Sequence, residues 1–100
     1  MKPNQWMSLL GLANRARKII SGEELVVKEI RSGRAKLVLL SADASANTAK
    51  KVTDKCNSFS IPYKLVENRN LLGQSIGKEA RVVVAVLDAG FANKLKQVLD

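Results

Sequence analysis

Arg81-Val82-Val83-Val84-Ala85-Val86-Leu87 is the strongest strand signal in the chain. Its apolar run has no polar alternation, so a strand made from it must be covered on both faces, as the central strand of a sheet between helices is. Lys36-Leu37-Val38-Leu39-Leu40 has the same character and predicts a second doubly covered strand. Ile19-Ile20 suits a very short strand and Tyr63 to Val66, just after Pro62, a fourth. Trp6, Leu9, Leu10 and Ala13 recur at helical spacing and predict a helix from Asn4 to about Asn14. Gly22 opens a second helix from about Glu23 to Ser32, with Gly33 as its stop and Val26 and Ile30 on its buried side. Asp43 or Ser45 caps a third helix to about Ser58, whose outer face carries Lys50, Lys51 and Lys55. Asn70 to Ser75 reads as a short helix, and Phe91, Leu95, Val98 and Leu99 mark a final amphipathic one. Strands alternating with helices of this length predict a small α/β fold with helices on both sheet faces and right-handed crossovers between parallel neighbours.

One hundred residues suffice for one core and not for two ordinary domains, so residues 1–100 read as a single domain without linker, repeat or low-complexity tract. A hydrophobic fraction of 46% is enough to offset the entropy of ordering the chain. The net charge of +8 and the pI of about 10 make a polyanion the first partner to consider, above all nucleic acid. Histidine is absent and Cys56 is the only cysteine, which removes internal disulfides, Cys/His zinc sites and His-dependent nucleophile systems. Cys56 itself reads as a small buried residue on a helix face with Val52. The start, Met1 to Trp6, lacks a secretory pattern and no segment is long and apolar enough to span a bilayer, so the expected location is the cytoplasm, away from membranes.

Three segments could carry function. Gly22-Glu23-Glu24-Leu25-Val26-Val27-Lys28 is a helix start whose free N–H groups and positive dipole end attract phosphate, with Lys28 adding a cation. A purely structural reading competes: Glu23 and Glu24 are ordinary first-turn residues, and Glu24 with Lys28 makes an i,i+4 pair worth about 0.2–0.5 kcal/mol. The second segment is Leu71-Leu72-Gly73-Gln74-Ser75-Ile76-Gly77-Lys78, where two glycines allow close backbone approach to a ligand or simply a tight turn. It is not a phosphate loop, because the first glycine stands one residue too close to Gly77-Lys78 and Glu79 replaces the Ser or Thr that would meet magnesium. The third, Ser41-Ala42-Asp43-Ala44-Ser45, lies where α/β proteins often bind ligands, though helix capping explains Asp43 and Ser45. The basic groups Arg15, Arg17 and Lys18, and Arg31, Arg34 and Lys36, either contact phosphate or form solvated faces, and their proximity in the fold must decide. Trp6 and Tyr63 read as core.

Taken in order, Gly22 through Lys28, Ser32-Gly33-Arg34-Ala35-Lys36-Leu37-Val38-Leu39-Leu40, Ile61-Pro62-Tyr63, Leu72-Gly73 through Gly77-Lys78, and Arg81-Val82 resemble the kink-turn-binding ribosomal-protein family. That family includes archaeal and eukaryotic large-subunit proteins and small bacterial relatives, and the match covers almost the whole chain. The resemblance implies a three-layer α/β/α sandwich with a four-stranded mixed sheet, no enzymatic activity, and binding of structured RNA with a sharp internal bend; no cofactor or metal is expected. In such proteins the start of the second helix meets the tandem G·A pairs and a later glycine-bearing loop covers an extruded nucleotide. Carried over by position, Gly22, Glu23, Glu24, Leu25 and Lys28 form the first contact surface, and Leu72, Gly73, Gln74, Ile76, Gly77 and Lys78 the second. Arg34 and Lys36, from the basic cluster, are counted with these as candidate RNA contacts, and Ser41 and Asp43 lie on the intervening loop. Kink-turn binders carry Asn then Glu where this chain has Glu24 then Leu25, so two hydrogen-bonding side chains become a carboxylate and an apolar group. The expected partners are structured ribosomal or other non-coding RNA and ribosomal proteins, with the protein itself a monomer. Two other readings stand beside this one: an adaptor for protein interaction or ribosome assembly, and a recognition fragment related to RNA methyltransferases, for whose cofactor domain the chain has no room.

Overall fold

The computed structural model describes residues 5–100, in which five helices and four strands alternate. They are α1 (Gln5–Arg15), β1 (Ile19–Ser21), α2 (Glu23–Ser32), β2 (Leu37–Ser41), α3 (Ala46–Ser58), β3 (Tyr63–Val66), α4 (Arg69–Ser75), β4 (Val83–Val86) and α5 (Ala89–Leu99). The expected helix start at Asn4 lies outside the described residues, and its C-terminal end falls at Arg15. Gly33 ends α2 in the left-handed conformation, φ 79°, where a side chain would be strained. Of the two candidate caps for α3, Ser45 is the one used: its hydroxyl accepts from the Thr48 N–H at 3.2 Å, and Asp43 is engaged elsewhere.

The strands form one mixed sheet in the order β1-β4-β2-β3, antiparallel except where β2 pairs with β3. The valine-rich run supplies an interior strand, as its composition requires, but β4 is shorter than the apolar stretch. At its start the Arg81 N–H leaves the ladder to bond the Arg69 carbonyl, 3.0 Å, and at its end Leu87 N–H donates to Lys18 O, 2.8 Å. Residue alternation divides the core in two. Leu37, Leu39, Val84 and Val86 pack with Trp6, Leu10, Leu72 and Leu95 from α1, α4 and α5. Val38, Leu40, Val83 and Ala85 pack with Val26, Ile30, Val52 and Cys56 from α2 and α3. The result is the expected α/β/α sandwich with helices on both faces. Burial pushes the Cys56 thiol up to about 11, so it acts as a small apolar filler.

Candidate functional site

Strand direction gathers the connecting segments at one end of the sheet. β1, β2 and β3 all finish there and β4 begins there, with Ser21 opposite Val84, Leu40 opposite Val83 and Ser41 opposite Val66. The start of α2, the loop before α3, the start of α4 and the segment leading into β4 are therefore neighbours. Two backbone bonds hold them: Gly22 N–H to Val83 O, 3.1 Å, and Ser41 N–H to Val82 O, 2.8 Å. Gly22, Glu23, Thr48 and Ala80 to Val83 line a shared cleft of about 220 Å³.

Gly22 opens α2 at φ 102° and ψ 141°, a conformation open to glycine and strained for other residues, and no side chain caps the helix. Its first N–H groups therefore have no side-chain cap. Glu23 is turned away from that role. Its carboxylate accepts from Thr48 Oγ1 at 2.8 Å and from Lys51 Nζ at 3.0 Å, bonds that hold its pKa below the usual carboxylate value and tie α2 to α3. Glu24, Leu25 and Lys28 are exposed, Leu25 by 51%. The i,i+4 pair expected from the sequence does not form, since among the described residues no ion pair joins Glu24 to Lys28.

The second segment is packed differently from the expectation. Leu72 and Ile76 are core residues rather than contact residues, and Gly73 is buried within α4. A Cβ on Gly73 would run into the backbone carbonyl of Glu79 and approach the Ala80 Cα to 3.1 Å, so this glycine admits the returning chain and not a ligand. Gln74 opens onto a different groove, about 430 Å³, lined with Met7, Gly11, Leu12 and Arg15 of α1. Only Gly77, at φ 71° with open space around it, and Lys78 are exposed in the way the sequence reading required. Ser41 is buried, whereas Asp43 takes the Arg69 N–H at 3.0 Å and the Arg69 guanidinium reaches the Asp43 carbonyl at 2.6 Å, clamping two loops together. Neither this clamp nor the Glu23–Lys51 link was legible beforehand, because each joins residues more than two dozen positions apart.

Arg34 and Lys36 do not join this end. They follow the ten-residue α2, which carries the chain about 15 Å to the opposite end of the sheet. There Arg34 forms a two-pronged pair with the buried Glu29 carboxylate, 2.7 and 3.0 Å, and Lys36 N–H bonds Val86 O at 2.8 Å. Counted among the expected RNA contacts, with their proximity left for the fold to decide, they lie at the other end from the helix-start site.

This α/β/α arrangement, with a glycine-started helix against a returning loop, defines a class, and the chain belongs to it: the ribosomal protein L7Ae/L30e/S12e/Gadd45 family, whose model matches residues 4–96. It is 71% identical, over the whole of both chains, to a Bacillus subtilis (strain 168) protein named RNA-binding protein YlxQ. A solved structure from Bacillus halodurans C, described as a protein with unknown function, superposes with a TM-score of 0.94 at 54% identity, covering 96% of this chain and 97% of that one. The Giardia lamblia 15.5kD RNA binding protein shares the fold at a TM-score of 0.83 and 19% identity, over 93% and 82% of the two chains.

Proposed function

We propose that this protein is a non-catalytic binder of structured, kink-turn-like RNA, working as a single domain within a ribosomal or other ribonucleoprotein. One observation carries the reading: the uncapped, glycine-started end of α2 and the Ala80–Val83 segment wall the same cleft, in a chain of a family whose close relative is named for RNA binding. Backbone N–H groups at the helix start meet phosphate or base edges there, and the exposed Lys28, one and a half turns further along α2, adds a cation on the same helix. Leu25, half exposed in the first turn of α2, favours a second reading in which this end docks a protein instead. Titration of the protein with a kink-turn RNA, and with the same RNA repaired to a continuous duplex, at two salt concentrations tests the first reading. Tighter binding to the bent RNA supports it; equal binding to both sinks kink-turn recognition.

A further inference from the structure

The site end of the molecule is nearly neutral. Around it Lys51 pairs with Glu23 and Arg69 with Asp43, while Arg81 lines the cleft and Glu24 is exposed in the first turn of α2, three cations against three carboxylates. The net charge of +8 therefore lies elsewhere, and the topology gathers about half of it at one place. At the opposite end α1 and α2 finish and β1 and β2 begin, which collects Arg15, Arg17, Lys18, Arg31, Arg34 and Lys36, all exposed. Among the described residues the carboxylates at this end are those of Glu29 and Asp88, and both are committed: Glu29 to Arg34, and Asp88 to capping α5 through the Phe91 N–H at 2.9 Å. Among the described residues the other five cations enter no ion pair.

The backbone sets their spacing. Lys36 N–H bonds Val86 O and Leu87 N–H bonds Lys18 O, so the two lysines flank the end of β4. Two strand spacings separate their backbones, about 10 Å. Pleat alternation turns both toward the face where Leu87 packs against α2 and α3, the side on which Arg31 ends α2. Helix dipoles account for Arg15 and Arg31, each in a last turn, but not for Lys18 and Lys36 at strand starts. Arg17 stands at φ 60°, a left-handed position after α1 that glycine usually fills, and presents a cation there despite the strain.

We propose that this end is a second RNA surface, which grips the phosphodiester backbone of a duplex without regard to sequence while the other end reads the bend. The identity of the polyanion rests on the function proposed above; the patch does not. The test uses the full chain and a perfectly paired RNA duplex with no internal loop as probe. Replacing Lys18, Arg31 and Lys36 by Gln keeps the side-chain stems and removes three charges. The expected result is a loss of duplex affinity of about tenfold or more at low salt, and a salt dependence shallower by roughly two to three in log–log slope. The melting temperature should hold, and so should the ratio of kink-turn to duplex binding once both are corrected for the common loss. Lys18→Arg with Lys36→Arg, which keeps the charge, should bind the duplex as the parent does. Unchanged duplex affinity and slope in the folded Gln variant overturn the proposal. So does a loss seen only on anionic vesicles. A wild-type protein that binds duplex through these residues yet ignores the kink overturns the first reading and leaves this one standing.

Discussion

Gly73 lies directly against the Glu79 carbonyl, so closely that the chain returning from α4 to β4 occupies the space a Cβ would need. Gly73→Val should therefore disrupt the fold, by about 3 kcal/mol or more, because backbone rather than a movable side chain blocks it. Gly77→Ala, in open space but at φ 71°, should cost only about 1–2 kcal/mol of backbone strain. Urea unfolding of the two variants measures the difference. Similar losses would mean that the Ala80 segment moves aside easily.

The exposed pair Glu24 and Leu25 tests the recognition surface. Glu24→Asn with Leu25→Glu puts hydrogen-bonding groups where the family's kink-turn binders have them, in place of a repelling carboxylate and an apolar side chain. Affinity for a standard kink-turn should rise by about 1–3 kcal/mol. No rise, with wild-type binding to another RNA intact, would mean that this end reads a different structure.

Arg34 is predicted to matter to stability more than to RNA binding. Its side chain is 64% exposed but that of Glu29 only 8%, so Arg34→Ala strands a buried carboxylate. With allowance for solvent screening on the arginine side, the expected cost is about 1–2 kcal/mol by chemical denaturation. Arg34→Ala with Glu29→Gln should recover part of it. A single variant as stable as the parent would show that water satisfies Glu29.

The Glu23 link between α2 and α3 makes stability depend on pH in a defined direction. Lys51 and Thr48 lower the folded-state pKa of Glu23 beneath 4.5, so its contribution is complete above that value and fades as the pH falls through the lower, folded one. Thermal unfolding of wild type and Glu23→Gln from pH 6 to pH 3 should therefore show a difference that narrows in acid. A constant difference would mean that the ionised form of Glu23 adds nothing.

Much of the architecture was legible in the chain because the signals were local. The valine run at positions 82–84, the Leu37–Leu40 run and the 3.6-residue stripe in α1 each carry their own periodicity, and Gly22 and Gly33 punctuate α2 at positions where only a flexible backbone fits well. That periodicity, together with the order of motifs, was enough to point to an α/β fold with helices on both faces. The choice between Asp43 and Ser45 as a cap, the burial of Leu72, Gly73 and Ile76, and the separation of Arg34 and Lys36 from the cleft were not accessible that way. Each depends on which residue arrives from far along the chain: Arg69 at Asp43, Glu79 at Gly73, Val86 at Lys36. Composition set the sum of the charge, and strand direction decided its distribution: neutral where the loops meet, positive where α1 and α2 end, because antiparallel β4 brings the starts of β1 and β2 to one edge.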